Sequence, residues 1–257
     1  MQNCVDYFYD AQQDYYNKKG IWGPMAPVYV WPRWDNVNYG APETFVYVEW
    51  GYHRPWAGYY SRALFSACHL WEEMKKMNLP ISPKLITVCE RWMTYLADFK
   101  DKNDDNTPTV FPVDGLPYND GYDPDPNISS PDHTGHMTAH FLCSAIMMKN
   151  AGSTHPKLDR IIEGCVREFE RTYYVSQGRT EHMSGAYTSW AGGNYFYGFW
   201  AGEIMRAFGM LLEYRDKQNL MPITVVEDDL WRIGLEDGST LITQDGGEFM
   251  YDNPGIS

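Results

Sequence analysis

No run of apolar residues in this chain approaches the roughly 18–20 needed to span a bilayer. The first ten residues, MQNCVDYFYD, hold neither the basic nor the apolar stretch of a secretory leader. We therefore expect neither a signal peptide nor membrane insertion. Basic residues are also scarce, 21 Lys and Arg against 34 Asp and Glu, and they are scattered among the acids. Without a basic patch, nucleic acid and anionic membranes are excluded as partners. The five cysteines, Cys4, Cys68, Cys89, Cys143 and Cys165, are odd in number and contain no Cys-x-x-Cys, so a zinc ribbon has no support. They read as reduced packing residues of a chain made in a reducing cytoplasm. No glycine-rich phosphate loop and no Gly-x-Ser-x-Gly elbow occurs, which leaves nucleotide-dependent and serine-hydrolase chemistry without a motif.

What the chain has in excess is aromatic surface, with 10 Trp and 20 Tyr in 257 residues. Such residues suit core seams, protein interfaces and sugar-binding surfaces alike. Three zones differ in composition. Residues 1–55 are aromatic, polar and broken by prolines, and read as an N-terminal arm. Within it, Val5, Phe8, Tyr9, Gln12, Tyr15 and Tyr16 form one face of a short helix, GPMAPVYVWPRW is extended, and TFVYVEW alternates like a strand. Residues 56–217 are helical by period. Residues 218–257 are β-like: Asp237-Gly238 and Asp245-Gly246 sit between short apolar runs, the pattern of hairpin turns, and predict a tail of two or three strands.

The helical zone predicts five helices. The first carries the stripe Leu64, Cys68, Trp71 and Met74; the second starts at Ser82 and Pro83 and turns Leu85, Val88, Trp92 and Leu96 inward. The third follows Pro131 and ends near Asn150-Ala151-Gly152, the fourth buries Leu158, Ile161, Ile162, Cys165 and Phe169, and the fifth runs from about Tyr195 to Asp216. The second and fourth have a charged face, as outer helices do; the others are apolar or small almost all round, as inner helices are. Alternating outer and inner helices in antiparallel hairpins predict a mainly α fold, a partial α/α toroid with an extended N-terminal arm and a small C-terminal β-hairpin tail. The repeated words WAGYYSRAL (from Trp56) and WAGEIMRAF (from Trp200), with Arg62 and Arg206 in the same register, then mark inner helices whose small residues let backbones approach closely.

In such a fold the loops leading into the inner helices gather at one end and line a funnel. The first loop brings Glu49, Trp50, Tyr52, His53, Arg54 and Trp56; the second Asp120, Asp123, Asp125, Asp132, His133 and His136; the third His182, Tyr187, Trp190, Asn194, Tyr195 and Tyr197. Aromatics beside acids, imidazoles and amides are the side chains that bind sugars, the rings covering C–H faces and the polar groups taking hydroxyls. The same residue types also dominate protein–protein contacts. If the chain is a glycosidase, Asp132 is one carboxylate and Glu49 or Asp120 the other; as a structural residue, Asp132 is a helix cap. His133, His136 and His140 share spacing that can hold zinc, but Met137 stands where a metalloprotease helix has Glu. His133 and His136 then read as polar funnel residues, with His140 packed. Asp123, Asp125 and Asn127 alternate like the start of a calcium loop, yet Ile128 and Thr134 occupy the sixth and twelfth positions, which rejects an EF-hand. An irregular calcium site is the one cofactor open here; otherwise none is implied.

Two resemblances complete the reading. The stretch NYFYGFWAGEIMRAFGMLLEYR, with the helical alternation around it over about residues 56–217, resembles the hairpins of α/α-toroid glycoside hydrolases and polysaccharide lyases. No catalytic motif matches residue by residue, so no active-site residue carries over. The tail IGLEDGSTLITQDGGEFMYDN is similar to hairpin tails of tailed-bacteriophage virion proteins. Together they imply a virion component of the tail or tail tip, made in the host cytoplasm. It would assemble with copies of itself and other virion proteins through its arms and bind host-surface polysaccharide. A carbohydrate-active enzyme and a cytoplasmic binding module are the alternatives.

Overall fold

The computed structural model describes residues 2–26, 28–29, 45–47, 57–109, 111, 135–172 and 198–218, and strand segments within 225–252. Among them, the chain is mainly helical: α1 Gln2–Lys19, α2 Ala57–Lys76, α3 Pro83–Lys102, α4 Gly135–Asn150, α5 Leu158–Thr172 and α6 Gly198–Lys217. Two residues each of β1 (Val28–Tyr29) and β2 (Phe45–Val46) pair antiparallel. Four more strands, β3 Val225–Val226, β4 Leu230–Gly234, β5 Thr240–Gln244 and β6 Glu248–Asp252, pair antiparallel in chain order. No described helix is long and apolar enough to cross a membrane.

The apolar period decides which face each helix buries. On α3, Leu85, Val88, Trp92 and Leu96 are buried at one-turn spacing, while Thr94, Asp98 and Asp101 face solvent. On α5 the buried set is Leu158, Ile161, Ile162, Cys165 and Phe169. Helix α4 has no polar face: Gly135 to Met148 are all buried. It packs against α2 on one side, α6 on another and α5 behind. Short connections, 77–82 and 151–157, join α2 to α3 and α4 to α5 as hairpins. At the second, Gly152 takes φ +82°, and the Gly152 and Ser153 N–H groups close onto the Lys149 and Met148 carbonyls. Ser82 is the N-cap of α3 and Pro83 opens its first turn, but the serine side chain makes no capping hydrogen bond.

Helices α1, α3 and α5 form their own row, α1 on α3 and α3 on α5. Thr94, Asp98 and Asp101 of α3 meet His155, Lys157 and Arg160 in ascending order, so α3 and α5 run the same way. Helix α1 is longer than its sequence suggests and is docked, not free. Val5 and Ala11 join the main core with Met25, Asp6 pairs with Lys84 at 2.7 Å, and the Arg91 guanidinium stacks on Trp22 at 3.6 Å. Buried Gln12 donates to the carbonyls of Gly23 (2.8 Å) and Val88 (3.1 Å), tying the turn after α1 to α3. Gly23 has φ +114°, and a Cβ there would stand 2.6 Å from the Tyr95 Cβ, so only glycine fits.

The cysteines divide. Cys68, Cys89, Cys143 and Cys165 are buried free thiols; burial pushes Cys143 up to about 12 and Cys165 to about 11, so these two pack as neutral groups. Cys4 is exposed on α1 and is not a packing residue.

Candidate functional site

Helices α2, α4 and α6 run parallel, and their first turns converge. Ser61 and Arg62 come from α2, His136 and His140 from α4, and Glu203 from α6. His140 is the centre. Its Nδ1 lies 3.0 Å from Ser61 Oγ and its Nε2 3.1 Å from Glu203 Oε1. Arg62 reaches the same Glu203 oxygen at 3.3 Å and donates to the Gly58 carbonyl at 3.2 Å. His136, one turn before His140, stands edge-on to it with ring centroids 6.0 Å apart. His136, His140 and Ser61 are buried, whereas the Glu203 side chain keeps 18% of its surface and Arg62 37%.

The hydrogen-bond pattern assigns roles. Ser61 has one hydrogen and two neighbours, the Gly58 carbonyl at 3.0 Å and His140 Nδ1. With Ser61 donating to Gly58, both His140 ring nitrogens face acceptors, Nδ1 the Ser61 oxygen and Nε2 Glu203. Burial raises the Glu203 carboxyl, but the His140 hydrogen bond and the nearby His140, Arg62 and His136 outweigh it and hold the group below its usual range. Glu203 is therefore a carboxylate at neutral pH. Its Oε1 is claimed twice; its Oε2 is buried and accepts no hydrogen bond among the described residues. The Ser61–His140–Glu203 chain has the residue types of a nucleophilic triad. Ser61 is nevertheless wholly buried in a helix and its hydrogen is occupied, so the chain positions Glu203 and offers no nucleophile.

Below this cluster α2 and α6 form the walls of a groove of about 490 Å³ floored by Ile146, Met147 and Asn150 of α4. Arg206 stacks on Phe65 across it at 4.3 Å. Lys76 pairs with Glu72 and Lys217 with Glu213, so most of its charge is neutralised in place. The two arginines of the repeated word thus both reach across between α2 and α6. Gly202 departs from the sequence expectation: it is exposed and a Cβ there would meet nothing within 4 Å, so no close backbone approach depends on it.

Of the residues weighed for a site from sequence, only His136 and His140 lie among those described, both buried. Glu49, Trp50, Tyr52, His53, Arg54, Trp56, Asp120, Asp123, Asp125, Asn127, Asp132, His133, Tyr187, Trp190, Asn194 and Tyr195 lie outside the described residues. The three loops that carry them lead directly into Ala57, Gly135 and Gly198, the first residues of α2, α4 and α6. Sequence reasoning missed Ser61 and Glu203. The one signal for Glu203 was its place in the repeated word, an acid where the first copy has Tyr59. No group of three or more His, Cys, Asp or Glu placed to hold a metal occurs among the described residues. No protein-family model, curated protein or solved structure matches the chain.

Proposed function

We propose that the chain is a structural component of a tailed-phage virion, of the tail or tail tip, whose helical body binds host-surface glycan where α2, α4 and α6 begin. The observation that carries the binding half is the convergence of Ser61, Arg62, His136, His140 and Glu203 at that end. The loops before those helices are rich in Trp, Tyr, Asp and His, the side chains that grip sugars. In this reading the rows α2, α4, α6 and α1, α3, α5 are the inner and outer layers of a partial α/α toroid. The assembly half rests on sequence character alone: the aromatic, proline-broken arm at residues 1–55, whose α1 is docked on the body, and the acidic-Gly turns of the tail at 218–257. Light scattering tests it: the full chain should form a fixed oligomer and a chain ended after Leu220 should not. A full chain with the mass of one protomer contradicts it.

One observation favours a second reading, a carbohydrate-active enzyme of the glycoside hydrolase or polysaccharide lyase class. Glu203 is an ionised carboxylate held by His140 and Arg62 with one oxygen uncommitted, the state a base or nucleophile requires. Its partner acid would come from Asp132, Glu49 or Asp120. Release of reducing ends from a bacterial polysaccharide by the full chain would establish this reading.

A further inference from the structure

We propose that the groove between α2 and α6 binds a small amphipathic carboxylate, its anionic end on Arg206 and its apolar body on Phe65 and Met210. The inference goes beyond the glycan reading and does not depend on it. The two arginines of the repeated word share a register but spend their donors differently. Arg62 gives hydrogens to the Gly58 carbonyl at 3.2 Å and to Glu203 at 3.3 Å. Arg206 is exposed and makes no hydrogen bond or ion pair among the described residues. Its guanidinium lies over the Phe65 ring, 4.3 Å from the centroid, and that ring leans in turn on His140 at 5.8 Å. Stacking holds the plane of the guanidinium and leaves its edge donors unspent, the form in which arginine grips a carboxylate through two parallel hydrogen bonds.

Charge decides the ligand class. Every other charged side chain on the groove lining has a partner: Lys76 meets Glu72 at 3.2 Å and Lys217 meets Glu213 at 2.5 Å, while His69 stands 3.8 Å from Glu73. Arg206 therefore leaves the lining one positive charge in excess among the described residues. A carboxylate matches that charge. A phosphomonoester, at about −1.5 to −2, would bring a surplus toward Glu72 and Glu213, and an ammonium would meet Arg206 itself. The volume of about 490 Å³ suits a small molecule. Ile146 and Met147 are already buried and close the floor, whereas Phe65 and Met210 on the walls are only half-buried. An apolar body laid on them removes ring and thioether surface from water without any movement of the helices.

Calorimetry on the full chain tests this with octanoate and 3-phenylpropionate as probes, against octanamide, octyl phosphate and octylamine. At least one of the two carboxylates should bind saturably, and the three comparison compounds should bind about 10-fold more weakly or worse. Arg206→Gln should weaken carboxylate binding about 10–100-fold, and Arg206→Lys, which keeps the charge but not the stacked fork, should restore only part of it. Lys157→Gln, which removes an equal charge from the exposed pair with Asp98, should bind as wild type does. No saturable binding of either carboxylate overturns the proposal, as does octylamine binding as tightly as octanoate. Equal affinities of wild type and Arg206→Gln also overturn it, and so does a loss in Lys157→Gln as large as that in Arg206→Gln. None of these results bears on glycan binding at the helix starts, so the two readings fail separately.

Discussion

Replacing Lys100 with methionine is expected to destabilise the fold by about 3–5 kcal/mol, the effect of stripping one partner from a fully buried ion pair. Lys100 and Glu168 are both 0% exposed and 2.9 Å apart. The ammonium also donates to the Asp105 carbonyl at 2.6 Å and Thr107 Oγ1 at 3.1 Å. Burial pulls the lysine down, but Cys165, Glu168 and Asp105 around it hold it above its usual range. Glu168 in turn accepts from the Thr107 N–H (2.8 Å), the Thr107 hydroxyl (2.7 Å) and the Thr138 hydroxyl (3.2 Å). One network therefore joins α3, α4, α5 and the turn after α3, where Asp104 and Asp105 adopt φ of 49° and 64°. Removing the carboxylate as well, in Lys100→Met/Glu168→Leu, relieves the uncompensated charge but orphans the Thr107 N–H, so only part of the loss returns. Urea denaturation reads both variants. A Lys100→Met midpoint equal to that of wild type would show that the pair is not buried as described.

Trp92→Ala is expected to cost about 3–5 kcal/mol by leaving a large cavity. The indole is 0% exposed at the centre of an aromatic cluster, with Phe111 at 5.3 Å, Tyr95 at 6.0 Å, Phe141 at 6.1 Å and Tyr60 at 6.2 Å between ring centroids. These rings belong to α2, α3, α4 and residue 111, so the cavity would open where the two helical rows meet. The indole Nε1 has no hydrogen-bond partner, which separates two contributions. Trp92→Phe gives up volume but also removes a desolvated N–H, and should cost much less than alanine. Calorimetric melting of both variants checks the ordering. Equal losses would mean that the cluster does not pack against the ring.

The two residues differ in what the sequence reveals. Trp92 was legible because it continues the one-turn spacing of Leu85, Val88 and Leu96, and periodicity reports burial directly. Lys100 was not. It stands in DFKDK, a run that looks solvated, and its partner lies 68 residues on in an equally charged stretch. A period says which face is inward; it does not say which buried cation will find which buried anion. Helix α4 was legible as a helix buried all round from its uninterrupted small and apolar residues. Helix α1 was only partly so, since its buried positions include Gln12, whose burial depends on carbonyls of Gly23 and Val88 that the local pattern does not reveal. Likewise, hairpin alternation gave the expectation that α2, α4 and α6 begin at one end. Glu203, the residue that gives that end its charge, needed the three-helix packing to be seen.

The central claim is that ligand enters where α2, α4 and α6 begin. Hydrogen–deuterium exchange of the full chain, with and without the best-binding polysaccharide, tests it most directly. Protection should concentrate in the peptides that cover residues 57–62, 135–140 and 198–203 and the loops immediately before them. Protection confined to the far end of the groove, around Lys76 and Lys217, or to the strands at 225–252, would contradict the account.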